Sequence, residues 1–185
     1  MSSPASVPGD AKTRLFCALL LPGETVERLV AWQRELLHGA FRLVPPENLH
    51  VTLAFLGSRP TGEVPAICGA LRDAAAAAPR PSLRVAGYRE TRSVGMLTLD
   101  DENGRAAALA AELARGLEEL GVYRAEQRPW LAHVTVVRFR TPPRLRAAPP
   151  DLGEVSPSDA AVYSSVLRSD GAQYEVVEKV ALGGR

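Results

Sequence analysis

The chain has 185 residues, with 22 Lys and Arg against 21 Asp and Glu, for a net charge of +1. That balance excludes a global electrostatic grip on long duplex nucleic acid and leaves only local basic surfaces. A hydrophobic fraction of 46% over this length supports one compact domain with a real core, or two small lobes sharing a cleft.

Residues 1–12, rich in Ser, Pro and Gly, read as a disordered leader, and 13–185 as a single bilobal domain. Lys12 and Arg14 ahead of the run Leu15–Leu21 faintly imitate a signal peptide. No small-residue cleavage pattern follows, however, and an amphipathic helix begins at once. No apolar stretch is long enough to span a membrane. Cys17 and Cys68 have no CxxC neighbour or metal-ligand spacing, which fits reduced, buried thiols and, with them, the expectation of a cytoplasmic protein.

Arg14–Leu21 reads as a continuous apolar strand closed by Pro22-Gly23. Val26, Leu29, Val30, Leu36 and Leu37 then recur at helical spacing, with Gly39 as a stop. A polar, proline-bearing connection from Arg42 to Asn48 leads into a strand, His50–Gly57. Val64, Ile67, Cys68 and Leu71 define a second helix, trailing through the alanine run to Pro79. Strands near Leu83–Arg89 and Gly95–Leu99 precede a third helix marked by Ala106, Leu109, Ala110, Leu113, Leu117 and Leu120, with Gly121 as its stop. Asp100-Asp101-Glu102 suits that helix's N-terminus. A connection containing Pro129 leads to the strand His133–Arg138, and strands near Ala160–Leu167 and Tyr174–Leu182 end the chain.

The two halves run in parallel. Each shows strand, helix, glycine stop, proline-bearing connection, and a strand opening with His-Val-Thr; His50 lies 11 residues beyond Gly39 and His133 lies 12 beyond Gly121. Two lobes related by a rough twofold, each giving one histidine strand to a shared cleft, account for the whole pattern. Along a strand, residues i and i+2 share a face. His50 and Thr52 therefore project together, as do His133 and Thr135, with Val51, Leu53, Val134 and Val136 behind them.

Two imidazoles and two hydroxyls around one small volume suit a phosphodiester. Imidazole titrates near pH ~6.5, so one ring can carry a proton while the other accepts one. Threonine hydroxyls can donate to non-bridging phosphate oxygens. Neither motif contains a carboxylate, and two histidines alone make a poor metal site, so no metal or other cofactor is expected. A strained 2′,3′-cyclic phosphate needs none to open.

Pro46-Glu47-Asn48-Leu49-His50-Val51-Thr52-Leu53-Ala54-Phe55-Leu56-Gly57 resembles the first signature of the two-histidine (2H) phosphoesterases, in the branch of RNA 2′,3′-cyclic phosphodiesterases also called 2′-5′ RNA ligases. His133-Val134-Thr135-Val136-Val137-Arg138 resembles the second signature, and the opening Arg14-Leu15-Phe16 and closing Tyr163–Leu167 and Tyr174–Val177 segments look like the same branch. The resemblance implies an α+β fold, with antiparallel sheets lining a central cleft and helices packed outside. It implies hydrolysis of a 2′,3′-cyclic phosphate, on RNA ends or nucleotides, to a 2′-phosphomonoester. Carried over, His50 is the general acid on the leaving 3′ oxygen and His133 the base on water, with Thr52, Thr135 and Arg138 holding the phosphate.

Strict alternation turns Arg138 and Phe55, each five residues after its histidine, away from the cleft. Either strand must end or slip for them to reach ligand. Phe55 is thus open to two readings, core aromatic or base-stacking platform. Arg138, Arg140, Arg144 and Arg146 flank Pro142-Pro143, either as a guide for an RNA backbone or as a solvated loop, and Arg89 and Arg92 carry the same ambiguity. His38 at a helix end and Trp130 at a core or rim position need no catalytic role. The rival functions are ligation, the reverse reaction at the same site, and a non-catalytic nucleotide- or RNA-binding module. A monomer acting on RNA with a cyclic phosphate end, or on a cyclic nucleotide, is the expectation.

Overall fold

The computed structural model describes residues 11–36, 39, 41–168 and 171–183. The expected leader up to residue 10 and His38 lie outside the described residues, while Lys12 already belongs to the first strand. The elements are β1 (Lys12–Leu20), α1 (Gly23–Leu36), β2 (Arg42–Leu43), β3 (His50–Pro60), α2 (Val64–Ala76), β4 (Leu83–Glu90), β5 (Val94–Asp101), α3 (Arg105–Glu119), β6 (His133–Arg138), β7 (Asp159–Arg168) and β8 (Gly171–Ala181). Among the described residues no helix is long and apolar enough to cross a membrane.

Every strand pairing is antiparallel. The spatial order is β4-β5-β6-β3-β1-β7-β8, with β2 also on β6. The two expected sheets are thus joined edge to edge, and the seam is a single residue pair, Val51 opposite Val134. One lobe is β3-β1-β7-β8 and the other is β2, β6, β5 and β4. Each is built on one His-Val-Thr strand, as the internal echo requires.

No described residue of α1, α2 or α3 lines the cleft, so these helices cover the opposite face of the curled sheet. Leu15, Cys17 and Leu19 of β1 enter the main core with Ile67 and Leu71 of α2 and Leu109, Leu113 and Leu117 of α3. Phe16 and Ala18, on the other face, pack with Ala161 and Tyr163. A strand buried on both faces reads as an unbroken apolar run, which is why β1 lacks alternation. Both cysteines are free and buried. Loss of solvent pushes the Cys17 thiol up to about 12 and the Cys68 thiol up to about 11.

The end signals of α3 work as expected. Gly121 takes φ 69°, its N–H donates to the Glu118 carbonyl at 2.8 Å, and the Val122 N–H reaches the Leu117 carbonyl at 3.1 Å. This left-handed closure suits glycine, and Val122 beyond it is buried. At the other end Asp101 Oδ2 accepts the Ala107 N–H at 2.8 Å.

Helix α1 is fastened to the histidine strand by a polar group. Gln33 is 2% exposed and its Nε2 donates to the carbonyls of Val136 (2.7 Å) and Val44 (3.1 Å). Gln33→Leu removes both bonds and leaves the Val44 carbonyl without its donor. The expected loss is on the order of 1–3 kcal/mol in urea unfolding, and an unchanged midpoint would show the bonds to be dispensable.

Candidate active site

The pairing of Val51 with Val134 dictates the site. Carried one residue either way, the antiparallel register sets His50 abreast of Thr135 and Thr52 abreast of His133. All four side chains leave the same face, while Val51 and Val134 are buried beneath. The histidines occupy one diagonal of a square and the threonines the other. Diagonal Cβ atoms in such a pair lie about 7–8 Å apart, enough for a phosphate between two imidazoles. All four residues line one cleft of about 580 Å³.

Arg138 and Phe55 also line that cleft, against the expectation from alternation. The register shifts explain it. Cys17 lies opposite Ala54 but Ala18 lies opposite Thr52, so Leu53 has no counterpart on β1. Likewise Gly95 lies opposite Val137 but Met96 lies opposite Thr135, so Val136 is the extra residue. In each strand two successive apolar residues are buried, Leu53-Ala54 and Val136-Val137, and the parity then reverses. Phe55 and Arg138 therefore return to the cleft face. The twofold relation between the lobes extends to the slip itself.

Arg14, Arg42, Arg138 and Arg168 are among the described residues that line the cleft, and no Asp or Glu is. Arg14 lies over the Phe55 ring at 5.0 Å, and Phe55 remains 51% exposed. Phe55 is thus a rim aromatic and not a core one. Arg144, Arg146, Arg89 and Arg92 lie away from this cleft. Asn48 Nδ2 donates to the Ala172 carbonyl at 3.1 Å, tying the start of β3 to the start of β8 at the cleft wall. Trp130 fastens the opposite side: its Nε1 donates to the Thr52 carbonyl at 3.1 Å, linking the approach to one motif with the other motif.

The two histidines sit in different surroundings. His50 stacks on Phe16 at 4.9 Å, with Tyr163 at 5.9 Å and Tyr174 edge-on at 5.7 Å. Burial against these rings pulls its pKa from 6.5 down to about 4; the Asn48 carbonyl opposes the shift, and the charges of His133 and Arg138 assist it. His133 Nδ1 lies 2.9 Å from the Leu131 carbonyl oxygen. A carbonyl only accepts, so Nδ1 carries the hydrogen, and in the neutral ring Nε2 then holds the lone pair.

His50 is uncharged in the folded protein at neutral pH, whereas the unfolded chain binds a proton below about 6.5. Stability is therefore lost as pH falls from 6.5 through 4, by on the order of 3 kcal/mol from this residue. NMR titration should place the His50 midpoint near pH 4 in the free protein. With a phosphate ester bound it should rise, because a neighbouring anion favours the imidazolium. A midpoint near 6.5 in the free protein would contradict the desolvated site.

Several contributors escaped the sequence reading. Gln33 carried a signal, since it falls four residues after Leu29 and seven after Val26, on the apolar stripe of α1. Phe16 of β1, Tyr163 and Arg168 of β7 and Tyr174 of β8 are assembled from three strands, and nothing in their local spacing announces that they meet.

Residues 19–92 match the family model described as LigT like Phosphoesterase. The chain is 34% identical over 181 residues to the RNA 2′,3′-cyclic phosphodiesterase of Thermus thermophilus, covering 92% of this chain and 91% of that one. It is 23% identical over 175 residues to the RNA 2′,3′-cyclic phosphodiesterase of Methanocaldococcus jannaschii, covering 90% and 99%. Among solved structures, TT0787 of T. thermophilus superposes with a TM-score of 0.80 at 31% identity, over 92% of this chain and 98% of that chain. E. coli LigT complexed with 3′-AMP gives a TM-score of 0.80 at 22% identity, over 94% and 100%, a likeness of fold. With the paired histidine strands and the near full-length match to the Thermus protein, this chain belongs to the LigT-like phosphoesterases of the 2H superfamily and is an enzyme of that family.

Proposed function

We propose that the enzyme hydrolyses 2′,3′-cyclic phosphates, on RNA ends or nucleotides, to 2′-phosphomonoesters, with His50 as general acid and His133 as general base. The observation that carries this reading is the square of two imidazoles and two hydroxyls, set in a cleft whose described lining includes Arg14, Arg42, Arg138 and Arg168 and no carboxylate. The Leu131 carbonyl holds His133 with Nε2 available to take a proton from water. Water attacks phosphorus opposite the 3′ oxygen, the P–O3′ bond breaks, and His50 delivers its proton to O3′. Thr52, Thr135 and Arg138 hold the non-bridging oxygens as charge shifts onto them. Arg14 and Phe55 at the rim offer a face on which a base can stack.

His50 is neutral in the free enzyme, so the acid must be loaded on binding. The phosphodiester brings the negative charge that restores its proton. The aromatic walls keep water from competing and strengthen that ion pairing. Among the described residues no three His, Cys, Asp or Glu gather as a metal-binding group. Turnover of 2′,3′-cyclic AMP should therefore continue in EDTA. Abolition by EDTA with recovery on adding a divalent cation would overturn the reading.

A further inference from the structure

The strand that carries His133 does not stop at the cleft. Its ladder runs one residue further, the Phe139 N–H donating to the Ser93 carbonyl at 3.0 Å. Phe139 is buried, while Arg138 before it and Arg140 after it are exposed and share a face. Arg140 enters a second, open groove of about 1080 Å³ that shares Arg42 and Arg138 with the catalytic cleft. Its other described lining residues include Phe41, Pro142, Pro143 and Leu145, and no described acidic residue lines it.

The far wall of this groove is built, not draped. Glu90 accepts the successive backbone N–H groups of Arg144 (2.9 Å) and Leu145 (2.7 Å), and Arg144 takes a left-handed φ of 56°. Trp32 Nε1 holds the Ala148 carbonyl at 2.9 Å, and Arg28 holds those of Asp151 and Leu152. These anchors fix Pro142-Pro143 beside Arg140. Arg138 and Arg140 form no ion pair with a described carboxylate, so their charge faces the groove.

We infer that this groove is a subsite for the nucleotide preceding the terminal one, with Arg140 as the residue that holds the phosphate linking the two. The inference rests on the proposed phosphodiesterase reading of the cleft. Arg138 serves the reacting phosphate, Arg140 the next phosphate along the strand, and the apolar wall of Phe41 and the two prolines receives the ribose or base. The continuity of the two grooves through Arg42 and Arg138 gives the strand its path out of the cleft.

The test compares 2′,3′-cyclic AMP with a short oligoadenylate ending in a 2′,3′-cyclic phosphate, in the wild-type enzyme and in Arg140→Ala and Arg140→Glu. Wild type should favour the oligonucleotide in kcat/KM. Arg140→Ala should lower that value about tenfold, as loss of one charge-assisted phosphate contact implies, and Arg140→Glu should lower it further. The slope of log kcat/KM against log salt should become shallower by about 0.7. Hydrolysis of the mononucleotide should stay unchanged in both variants. Equal effects on the two substrates, or no effect on either, would overturn the subsite while leaving the cleft's chemistry standing. A wild-type enzyme inactive on both substrates would overturn the cleft reading and the subsite with it.

Discussion

Replacing His133 by Ala should lower kcat/KM for 2′,3′-cyclic AMP by on the order of 10²–10⁴-fold, the range general acid–base catalysis supplies. His50→Ala should cost a comparable factor on the same substrate. The two variants should part company when the leaving group changes. A 4-nitrophenyl phosphodiester that fits the cleft expels a weakly basic oxygen that needs no proton, so the His50→Ala defect should shrink with it. His133→Ala should stay impaired, because water still needs a base. The contrast matters because a pH profile alone cannot assign the roles: one protonated and one neutral imidazole give the same curve whichever is which. The low His50 pKa would by itself suit a base as well as an acid reloaded by substrate. Rescue of His133→Ala instead would reverse the assignment, and equal rescue of both would void it.

Thr52→Ala and Thr135→Ala carry the second large expectation. Each removes one donor aimed at the space between the imidazoles and leaves both imidazoles in place. Loss of one preorganised donor costs on the order of 10²–10³ in kcat where donors do not overlap. Arg138 lines the same cleft and is proposed to hold the same phosphate, so each threonine should fall toward the lower end, and Thr52→Ala combined with Thr135→Ala should cost more than either alone. The defect should appear in kcat more than in KM, since the charge on the equatorial oxygens grows towards the transition state. Wild-type kcat/KM in either single variant would make that hydroxyl structural.

The histidine and threonine positions were legible because strand periodicity is a local property: His-Val-Thr places its first and third residues on one face wherever the strand lies. The repeated order of elements made the pairing of the two strands legible as well. Arg138 and Phe55 were misplaced by the same periodicity, since it ignores the one-residue slips at Leu53 and Val136. The doublets Leu53-Ala54 and Val136-Val137, apolar on both faces of otherwise alternating strands, were the available clue. The aromatic surroundings of His50 were not legible at all. Phe16, Tyr163 and Tyr174 come from three strands whose adjacency depends on the order β3-β1-β7-β8. Tertiary arrangement, not local pattern, makes the two histidines chemically unequal.

The most direct test of the central claim is hydrolysis of 2′,3′-cyclic AMP in ¹⁸O-labelled water, with the product resolved by chromatography and mass spectrometry. A cleft that sets His133 to activate water and His50 to protonate O3′ should yield 2′-AMP with one labelled oxygen on phosphorus and an unlabelled 3′ hydroxyl. Labelled 3′-AMP would mean that the 2′ bond breaks and that the substrate lies the other way round. An unlabelled product, or undiminished turnover by His50→Ala/His133→Ala, would contradict the two-histidine mechanism itself.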